Sequence, residues 1–508
     1  MFYKRKKKAK LWRPIMGAVG GLCMLAACMI ALLNYSHFAR KKELYPAGLT
    51  LGGVPIGNLS RAEAESRLHS VYGSPIELRY QGARMQFLPQ ALGFDLNAEI
   101  VLDSLEASHQ PDAKFFKWWQ TLWGKQASSQ PMQIDLYPGQ NTDAIKKLVD
   151  NEIRPRYDQK AYAPLPILNT TYFEPGSAGW QLSLSEQTVS DITAALASPK
   201  ERIVDLEIET LPVPRLDPKN LEVALKVIIQ NEGFDGLVEL YTQDMQNAEI
   251  LHFAQNAFQP LAPDIAYSAA STIKIPIMVS VMRHLNGELP GLAEGWILQM
   301  LTKSLNPPAD ALMKTYLGEA DGPLAVTRDM QDLGYQNTFL AGYFADGSPL
   351  LQRFSSPANQ RTDINIKPDI YNQTVPSEIG DLLGRIYQCS IGAAPEKGLY
   401  NGQIGQAACQ HMVEVMSQNR MGALIEAGLP PSQAIAHKHG WTSDADGLLH
   451  TVSDVGIILD GQNSYVEVIF VHTPRQLIFD AGSYLVARLS QCLYNAKHIE
   501  NQTVWLGK

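Results

Sequence analysis

Residues 267–277 read YSAASTIKIPI and contain the only place in this chain where a serine precedes a lysine by three positions, Ser271 and Lys274. Residues three apart share a helix face. The Lys274 amine can therefore reach the Ser271 hydroxyl and help to remove its proton, which a serine nucleophile needs near neutral pH. Alone, the pattern has an ordinary alternative, because a serine and a lysine one turn apart occur on many solvated helix faces.

Two further motifs follow in the chain. Ser304-Leu305-Asn306 lies between two predicted helices, and Lys438-His439-Gly440, the one Lys-x-Gly of the sequence, leads into Trp441 as part of a predicted strand. Ser417-Gln418-Asn419 also satisfies the Ser-x-Asn pattern. It falls late on a predicted helix, so we expect the Ser304 segment to be the relevant one.

The order Ser-x-x-Lys, Ser-x-Asn, Lys-x-Gly is typical of class A β-lactamases and penicillin-binding proteins. Residues 217–500 thus resemble the serine β-lactamase/D,D-peptidase superfamily, in particular its compact class A-like group. The resemblance implies an α+β fold with an antiparallel sheet flanked by helices. The sequence agrees, because strands predicted near 236–241, 250–253, 456–459 and 465–471 enclose a mostly helical middle and suggest one sheet whose strands meet in space.

The resemblance implies an acyl-transfer role for three side chains. Ser271 would attack a carbonyl carbon and become acylated, and Lys274 would accept its proton directly or through water. Ser304 would pass a proton to the leaving nitrogen. No cofactor is implied, and no clustered His/Cys spacing predicts a metal site.

The same resemblance implies a substrate-binding role for the remaining motif residues. Asn306 would hydrogen-bond the substrate amide, and Lys438 would anchor a substrate carboxylate. Gly440 would let substrate approach the strand backbone, while the N–H groups of Ser271 and Trp441 would face the developing oxyanion. His439 departs from the family's Thr or Ser; it either donates a hydrogen bond, with pH-sensitive binding if it titrates, or only packs.

A second departure concerns release of the acyl group. Residues 371–378 resemble the helix start that follows the deacylation loop of class A enzymes, yet residues 361–369 contain no Glu. The carboxylate that activates water is therefore missing, or replaced by Asp363 or Asp369. Glu378 is expected to stabilise a helix N-terminus. We predict that acylation is intact and that turnover is slow.

The N-terminus predicts a membrane anchor. Residues 1–42 hold ten of the 43 Lys and Arg residues and no Asp or Glu, and residues 15–33 are uncharged. Nineteen such residues nearly span a bilayer, and the flanking charges put residues 1–14 in the cytoplasm and the later domains outside. A cleaved signal peptide and lipidation at Cys28 stay open. The remaining chain is acidic, which argues against a nucleic-acid partner.

Residues 45–210 predict a separate α+β module. A Gly-rich opening is followed by a capping box at 60–63 that starts a helix to about 68, then by a hairpin of residues 76–80 and 85–88 around Gln81-Gly82. This order resembles the peptidoglycan-binding module found beside VanW-type and transpeptidase domains, which implies proximity to the cell wall; a spacer role is equally open. Residues 211–215 form the predicted linker.

Two smaller features leave alternatives open. Residues 114–123 are rich in Phe and Trp, which suits a membrane interface, sugar stacking or a packed helix face. Cys389 and Cys409 form the natural disulfide pair, with free thiols as the alternative.

Together these observations predict a membrane-anchored, wall-facing serine enzyme that reacts with β-lactams or peptidoglycan peptides. The alternatives are a D,D-peptidase-like wall enzyme and a non-catalytic wall-binding or sensor protein.

Overall fold

The computed structural model describes residues 12–41, 44–108, 118, 133–134, 141–393 and 399–502. Most of the predicted cytoplasmic tail at 1–14, and the aromatic segment 114–123 apart from Trp118, lie outside these residues. The chain divides into two compact units. The N-terminal unit comprises Met1–Ala161 and Ala178–Val213, and the C-terminal unit comprises Tyr162–Ser177 and Pro214–Lys508.

Both units contain helices and strands, which are numbered in chain order. The principal helices of the described residues are α1 (Trp12–Lys41), α2 (Arg61–Tyr72), α3 (Ala98–Ser108), α4 (Thr142–Leu148), α5 (Glu186–Ala197), α6 (Pro218–Asn231), α7 (Lys274–His284), α8 (Gly291–Thr302), α9 (Asn306–Leu312), α10 (Gly322–Asp332), α11 (Pro376–Ser390), α12 (Gln406–Met416) and α13 (Phe479–Lys497). The strands are β1 (Thr50–Leu51), β2 (Val54–Pro55), β3 (Ile76–Tyr80), β4 (Ala83–Phe87), β5 (Gln133–Ile134), β6 (Leu165–Pro166), β7 (Phe173–Glu174), β8 (Gly179–Leu182), β9 (Ile203–Asp205), β10 (Ile208–Leu211), β11 (Leu237–Asp244), β12 (Ile250–Asn256), β13 (Gln259–Leu261), β14 (Tyr267–Ser268), β15 (Phe339–Leu340), β16 (Asn372–Thr374), β17 (Ala434–Ser443), β18 (Leu449–Leu459) and β19 (Tyr465–His472).

Helix α1 contains the apolar N-terminal segment. Its stretch Ala18–His37 is long and apolar enough to cross a membrane, and it is not buried within the molecule. A helix of this kind near an N-terminus has the length and composition of a membrane span and equally those of a signal sequence.

The N-terminal unit contains the local structures that its sequence predicts. Ser60 caps α2, its hydroxyl accepting from the Glu63 N–H while the Glu63 carboxylate accepts from the Ser60 N–H, so two otherwise unpaired donors are satisfied. The β3–β4 hairpin is present, and Gln81 and Gly82 both have positive φ. Such turns match the twist of the two strands. Helix α2 continues to Tyr72, one turn beyond the prediction.

The C-terminal unit is built on a six-stranded antiparallel sheet in the order β13-β12-β11-β19-β18-β17. Strand β11, near the start of the unit, pairs with β19 near its end. This confirms that strands from both ends of the domain meet in one sheet. One face packs against a cluster that includes α6 and α13, and the other against a cluster that includes α7 and α11. Strand β17, which carries Lys438, is an edge strand.

A disulfide joins two helices of this unit. Cys389 on α11 is bonded to Cys409 on α12, with the Cα atoms 5.8 Å apart. The alternative of free thiols at these positions is therefore wrong, while Cys492 is buried and unbridged.

The structure groups the short segment Tyr162–Ser177 with the C-terminal unit, whereas the sequence-based boundary placed it in the module at 45–210. Its hairpin β6–β7 belongs to the C-terminal unit. Phe173 is 1% exposed within the cluster that α6 and α13 form. The Thr171 hydroxyl donates to Gln491, and Gln502 pairs with both backbone groups of Phe173. These partners lie more than 300 residues away, so local sequence could not reveal them.

Candidate active site

The Ser271 segment is a 3₁₀ turn that runs into helix α7. Residues Ala270–Ile273 form the turn, and Lys274 is the first residue of α7. Side chains at i and i+3 eclipse one another in a 3₁₀ turn. Ala270 has φ 48°, a conformation that costs energy in a non-glycine residue and is common at functional sites. The result is a distance of 2.9 Å between Lys274 Nζ and Ser271 Oγ.

Lys274 is buried and surrounded by oxygen atoms. Its Nζ lies 2.7 Å from the Ser304 carbonyl oxygen, 3.4 Å from Ser304 Oγ and 2.8 Å from Asn306 Oδ1. Burial lowers the pKa of Lys274 to about 8, while the charge of Asp310 opposes this shift. A lysine in this state is available as a proton acceptor near neutral pH, because about one tenth of it is uncharged at pH 7.

The Ser304 hydroxyl is the third proton-bearing group of the site, beside the Ser271 hydroxyl and the Lys274 amine. Its hydroxyl donates to Ser271 Oγ at 2.9 Å. Ser304 has φ 55°, so its backbone is also in the left-handed region. Of the two Ser-x-Asn segments, it is Ser304 and Asn306 that contact Lys274, whereas the Asn419 side chain contacts His437 and His439.

Lys438 brings a second buried amine to the site. Its side chain is fully buried, and its Nζ donates to the backbone oxygen of His439 at 2.9 Å. Burial lowers the pKa of Lys438 to about 7, the positive charge of Lys274 adds to that shift, and Asp454 opposes it. The two lysines are therefore close enough to repel each other.

Gly440 brings strand β17 against the Ser271 turn. A Cβ at this position would lie 2.9 Å from the Thr272 methyl group and 3.0 Å from the Ala269 oxygen. We expected this glycine to admit substrate, but the close approach shown by the structure is that of the protein's own turn. Trp441 follows, 36% exposed, with its ring stacked on His439 at 4.6 Å.

The carboxylates considered for water activation are engaged elsewhere. Asp363 pairs with Arg361 at 2.6 Å. Asp369 accepts from the Tyr371 N–H and the Asn372 amide, so it shapes its own turn. Glu378 accepts from Gln336, Asn337 and Thr338, which fastens the segment before β15 to the first turn of α11.

Sequence reasoning missed two residues beside Lys274. The Phe344 ring lies 5.4 Å from Lys274 Nζ. Asp310 holds this loop in place, since its two oxygens accept from the N–H groups of Phe344 and Ala345 at 2.8 and 2.9 Å. A signal for Asp310 was available, because it is an acidic residue among apolar neighbours within α9. Nothing local marked Phe344.

One group with metal-ligand chemistry occurs among the described residues, formed by Glu239, His252 and Asp264. The Glu239 carboxylate is fully buried and accepts from His252 Nε2 and from the N–H groups of Asp264 and Ile265. Burial raises the pKa of Glu239, and these hydrogen bonds oppose that rise.

A family model matches part of the C-terminal unit. Residues 296–496 match the model of a family described as the beta-lactamase enzyme family. The match includes Ser304, Asn306 and Lys438 and begins after Ser271 and Lys274. A comparison with curated proteins finds no match.

Solved structures resemble the C-terminal part of the chain at low identity. One described as PBP-A is 19% identical, with a TM-score of 0.40, covering 56% of this chain and 98% of that one. A class A beta-lactamase from Bacteroides cellulosilyticus DSM 14838 is 14% identical, with a TM-score of 0.40, covering 56% of this chain and all of that one. The comparisons thus show a similarity to the beta-lactamase enzyme family over residues 296–496.

Proposed function

We propose that this protein is a membrane-anchored, extracytoplasmic serine enzyme of the β-lactamase and penicillin-binding type, acylated by β-lactams at Ser271. The observation that carries the proposal is the position of Lys274. Its amine lies 2.9 Å from Ser271 Oγ, and burial brings its pKa to about 8. A positioned base of this kind is what converts a serine hydroxyl into a nucleophile.

The acylation step follows from the triangle of Ser271, Lys274 and Ser304. Uncharged Lys274 takes the proton of Ser271 as Oγ attacks the lactam carbonyl carbon. A C–O bond forms, the lactam C–N bond breaks, and the nitrogen needs a proton. Ser304 Oγ, 3.4 Å from Lys274 Nζ and 2.9 Å from Ser271 Oγ, is placed to donate its own proton to the nitrogen and regain one from Lys274.

Substrate binding is assigned to the side chains around this triangle. Asn306 Oδ1 is occupied by Lys274, which leaves its amide N–H groups for a substrate carbonyl oxygen. Lys438 and His439 would face a substrate carboxylate. The N–H groups of Ser271 and Trp441 would stabilise the oxyanion that forms on the attacked carbonyl.

We further propose that the acyl-enzyme is released slowly. The Phe344 ring, from the segment 341–371, lies 5.4 Å from Lys274 Nζ, and an aromatic ring cannot activate water. The two aspartates considered as replacements are held by Arg361 and by the turn at residues 369–372. A long-lived adduct favours a penicillin-binding, D,D-peptidase-like enzyme over an efficient β-lactamase.

The anchor and the N-terminal unit complete the proposal. Helix α1 would hold the enzyme at the outer face of the membrane, and the module at 45–210 would keep it near the cell wall as a glycan-binding element or a spacer. Both assignments rest on sequence pattern, with the length and apolar character of Ala18–His37 in support.

A fluorescent penicillin tests the central claim. The full-length protein in detergent is expected to form a covalent adduct that the Ser271→Ala variant does not form, and mass spectrometry would locate it on Ser271. The adduct lifetime then separates a trap from a hydrolase. Equal labelling of the variant would refute the Ser271 assignment, and absence of labelling would favour the non-catalytic sensor.

A further inference from the structure

Three side chains with metal-ligand chemistry converge on the face of the six-stranded sheet that packs against α7 and α11. Glu239 and Tyr241 lie on that face of β11, and the strand register pairs Tyr241 with His252 of β12. Glu239 and His252 are therefore diagonal neighbours on one face of the sheet. Asp264 joins them from the loop before β14, and one donor atom of each side chain lies within 4.8 Å of the others. No local motif marks these residues, because each lies on a different element.

The separations between the donor atoms suit one ion bound between them. His252 Nε2 lies 2.9 Å from Glu239 Oε1 and 3.9 Å from Asp264 Oδ1. Nitrogen and oxygen ligands of a tetrahedral zinc ion lie about 3.3–3.6 Å from one another, given bond lengths of about 2.0–2.2 Å. Small movements of the side chains would thus bring the three atoms into coordination. The Tyr241 ring, in an edge-to-face contact with the His252 imidazole at 5.4 Å, holds the imidazole in this orientation.

The charges of the cluster favour a cation. Glu239 is fully buried, and Asp264 brings a second carboxylate to the same imidazole. Arg361 is also close, since its Nη1 donates to the Asp264 backbone oxygen, but its guanidinium pairs with Asp363 at 2.6 Å and its charge is balanced there. Buried charges in proteins are paired or coordinate metals. Two carboxylates that face one imidazole carry a negative charge that a divalent ion would balance.

A buried hydroxyl group points to the same ligand. Tyr267 is 0% exposed. Burial raises the pKa of Tyr267 and the charge of Glu239 adds to that rise, so the phenol and the carboxylate lie side by side. Yet the Tyr267 hydroxyl has no hydrogen-bond partner within the part of the chain that the structure describes. Buried polar groups nearly always have a partner, and an ion held by Glu239, with its bound water, would supply one.

We propose that Glu239, His252 and Asp264 form a binding site for a divalent transition-metal ion, and that zinc is the ion that fits it best. One imidazole and two carboxylates suit zinc better than Mg²⁺ or Ca²⁺, which prefer oxygen ligands alone. His252 would bind through Nε2, whose proton is released to solvent as the metal takes its place. Water in the fourth position would hydrogen-bond to the Tyr267 hydroxyl. The site goes beyond the proposed function and does not depend on it.

The ion would fasten the segment that leads to the Ser271 turn. The N–H groups of Asp264 and Ile265 donate to the Glu239 carboxylate, and β14 begins two residues later. Asp264 has φ 61°, in the left-handed region that few residues other than glycine adopt without cost. A metal bond to its carboxylate would hold this conformation and tie the start of β14 to the sheet. The role is structural, because the ion would take no part in acylation at Ser271.

Metal binding by the untagged, full-length protein in detergent tests the site directly. Chelator-treated protein is dialysed against Zn²⁺, and the bound metal is counted by elemental mass spectrometry. We expect one zinc ion per chain, and an affinity loss of more than about 100-fold in Glu239→Gln and in His252→Gln, since even the outer partners of metal ligands contribute 10- to 100-fold. His498→Gln is the control, because it removes an imidazole 2.8 Å from Asp460, outside the cluster. Wild-type protein without zinc, equal binding by all variants, or preference for Mg²⁺ or Ca²⁺ would overturn the inference.

X-ray absorption by the zinc-loaded wild type gives a readout that needs no variant. We expect nitrogen and oxygen ligands at about 2.0–2.2 Å, with the outer scattering of one imidazole. Sulfur at about 2.3 Å, or a shell of oxygen alone, would contradict the assignment. Hydrogen exchange tests the structural role, since the amides of residues 264–268 should exchange more slowly with zinc than without it, and an unchanged rate would refute that role. None of these measurements uses a β-lactam, so failure of the proposed function would leave their outcome unaffected.

Discussion

The pH dependence of acylation follows directly from the two buried lysines. The reaction needs Lys274 uncharged, with a pKa of about 8, and needs Lys438 charged to hold a carboxylate, with a pKa of about 7. The product of these two fractions predicts a bell-shaped second-order rate constant with its maximum near pH 7.5, falling about sixfold by pH 6 and by pH 9. Because the charges of the two lysines repel each other, the two apparent pKa values describe the pair and not either lysine by itself.

A penicillin ester separates the two limbs, since it lacks the carboxylate that Lys438 would bind. Its rate should only rise with pH, by about tenfold between pH 7 and pH 9, as Lys274 goes from about one tenth to nine tenths uncharged. Stopped-flow fluorescence with both ligands measures this. Asp310→Asn removes the negative charge that favours protonated Lys274, so the ester profile should shift to lower pH. An ester profile that is flat from pH 6 to pH 9 would refute Lys274 as the base.

Three substitutions test the geometry around the site and the fold. Gly440→Ala should lower the acylation rate about 10- to 100-fold, because its Cβ would push β17 away from the Ser271 turn. Gly295→Ala is the control, since the space around Gly295 is open. Equal effects of the two variants would contradict a requirement for close contact between β17 and the turn. Phe344→Glu places a carboxylate near Lys274 and should shorten the acyl-enzyme lifetime by at least about tenfold, within the range of general base catalysis. An unchanged lifetime would mean that residue 344 does not face the acyl ester on Ser271. Phe173→Ala should lower the free energy of unfolding by about 3–5 kcal/mol in chemical denaturation, through loss of buried packing. Tyr162→Ala, at a 63% exposed position, should change that free energy little. Comparable losses of stability in the two variants would argue against burial of Phe173 in the β6–β7 hairpin.

The motif residues could be found from the sequence because their signals are local. The three-residue spacing predicted that Ser271 and Lys274 are neighbours, since residues three apart in a helical turn share a face, and the two later motifs distinguished this pair from an ordinary solvated helix face. The capping box at Ser60 and the hairpin around Gln81 are local for the same reason. The order of the three motifs and the strands at both ends of the domain then indicated the fold.

The tertiary structure decided the contacts between residues that lie far apart in the chain. It selected Ser304 over Ser417, committed Asp363 to Arg361, and brought Phe344 to Lys274. None of these three contacts could be predicted from sequence spacing. Their residues are separated by long loops, and the packing of the whole domain decides which side chains of such loops meet.

The state of the reactive groups was also beyond the sequence. Ser271-Thr272-Ile273-Lys274 determines by itself that a hydroxyl and an amine lie together. It does not determine the pKa of Lys274, which depends on how completely the folded domain buries that amine. Charge and proton position are set by the surrounding dielectric and by hydrogen-bond partners, and only the folded chain supplies these.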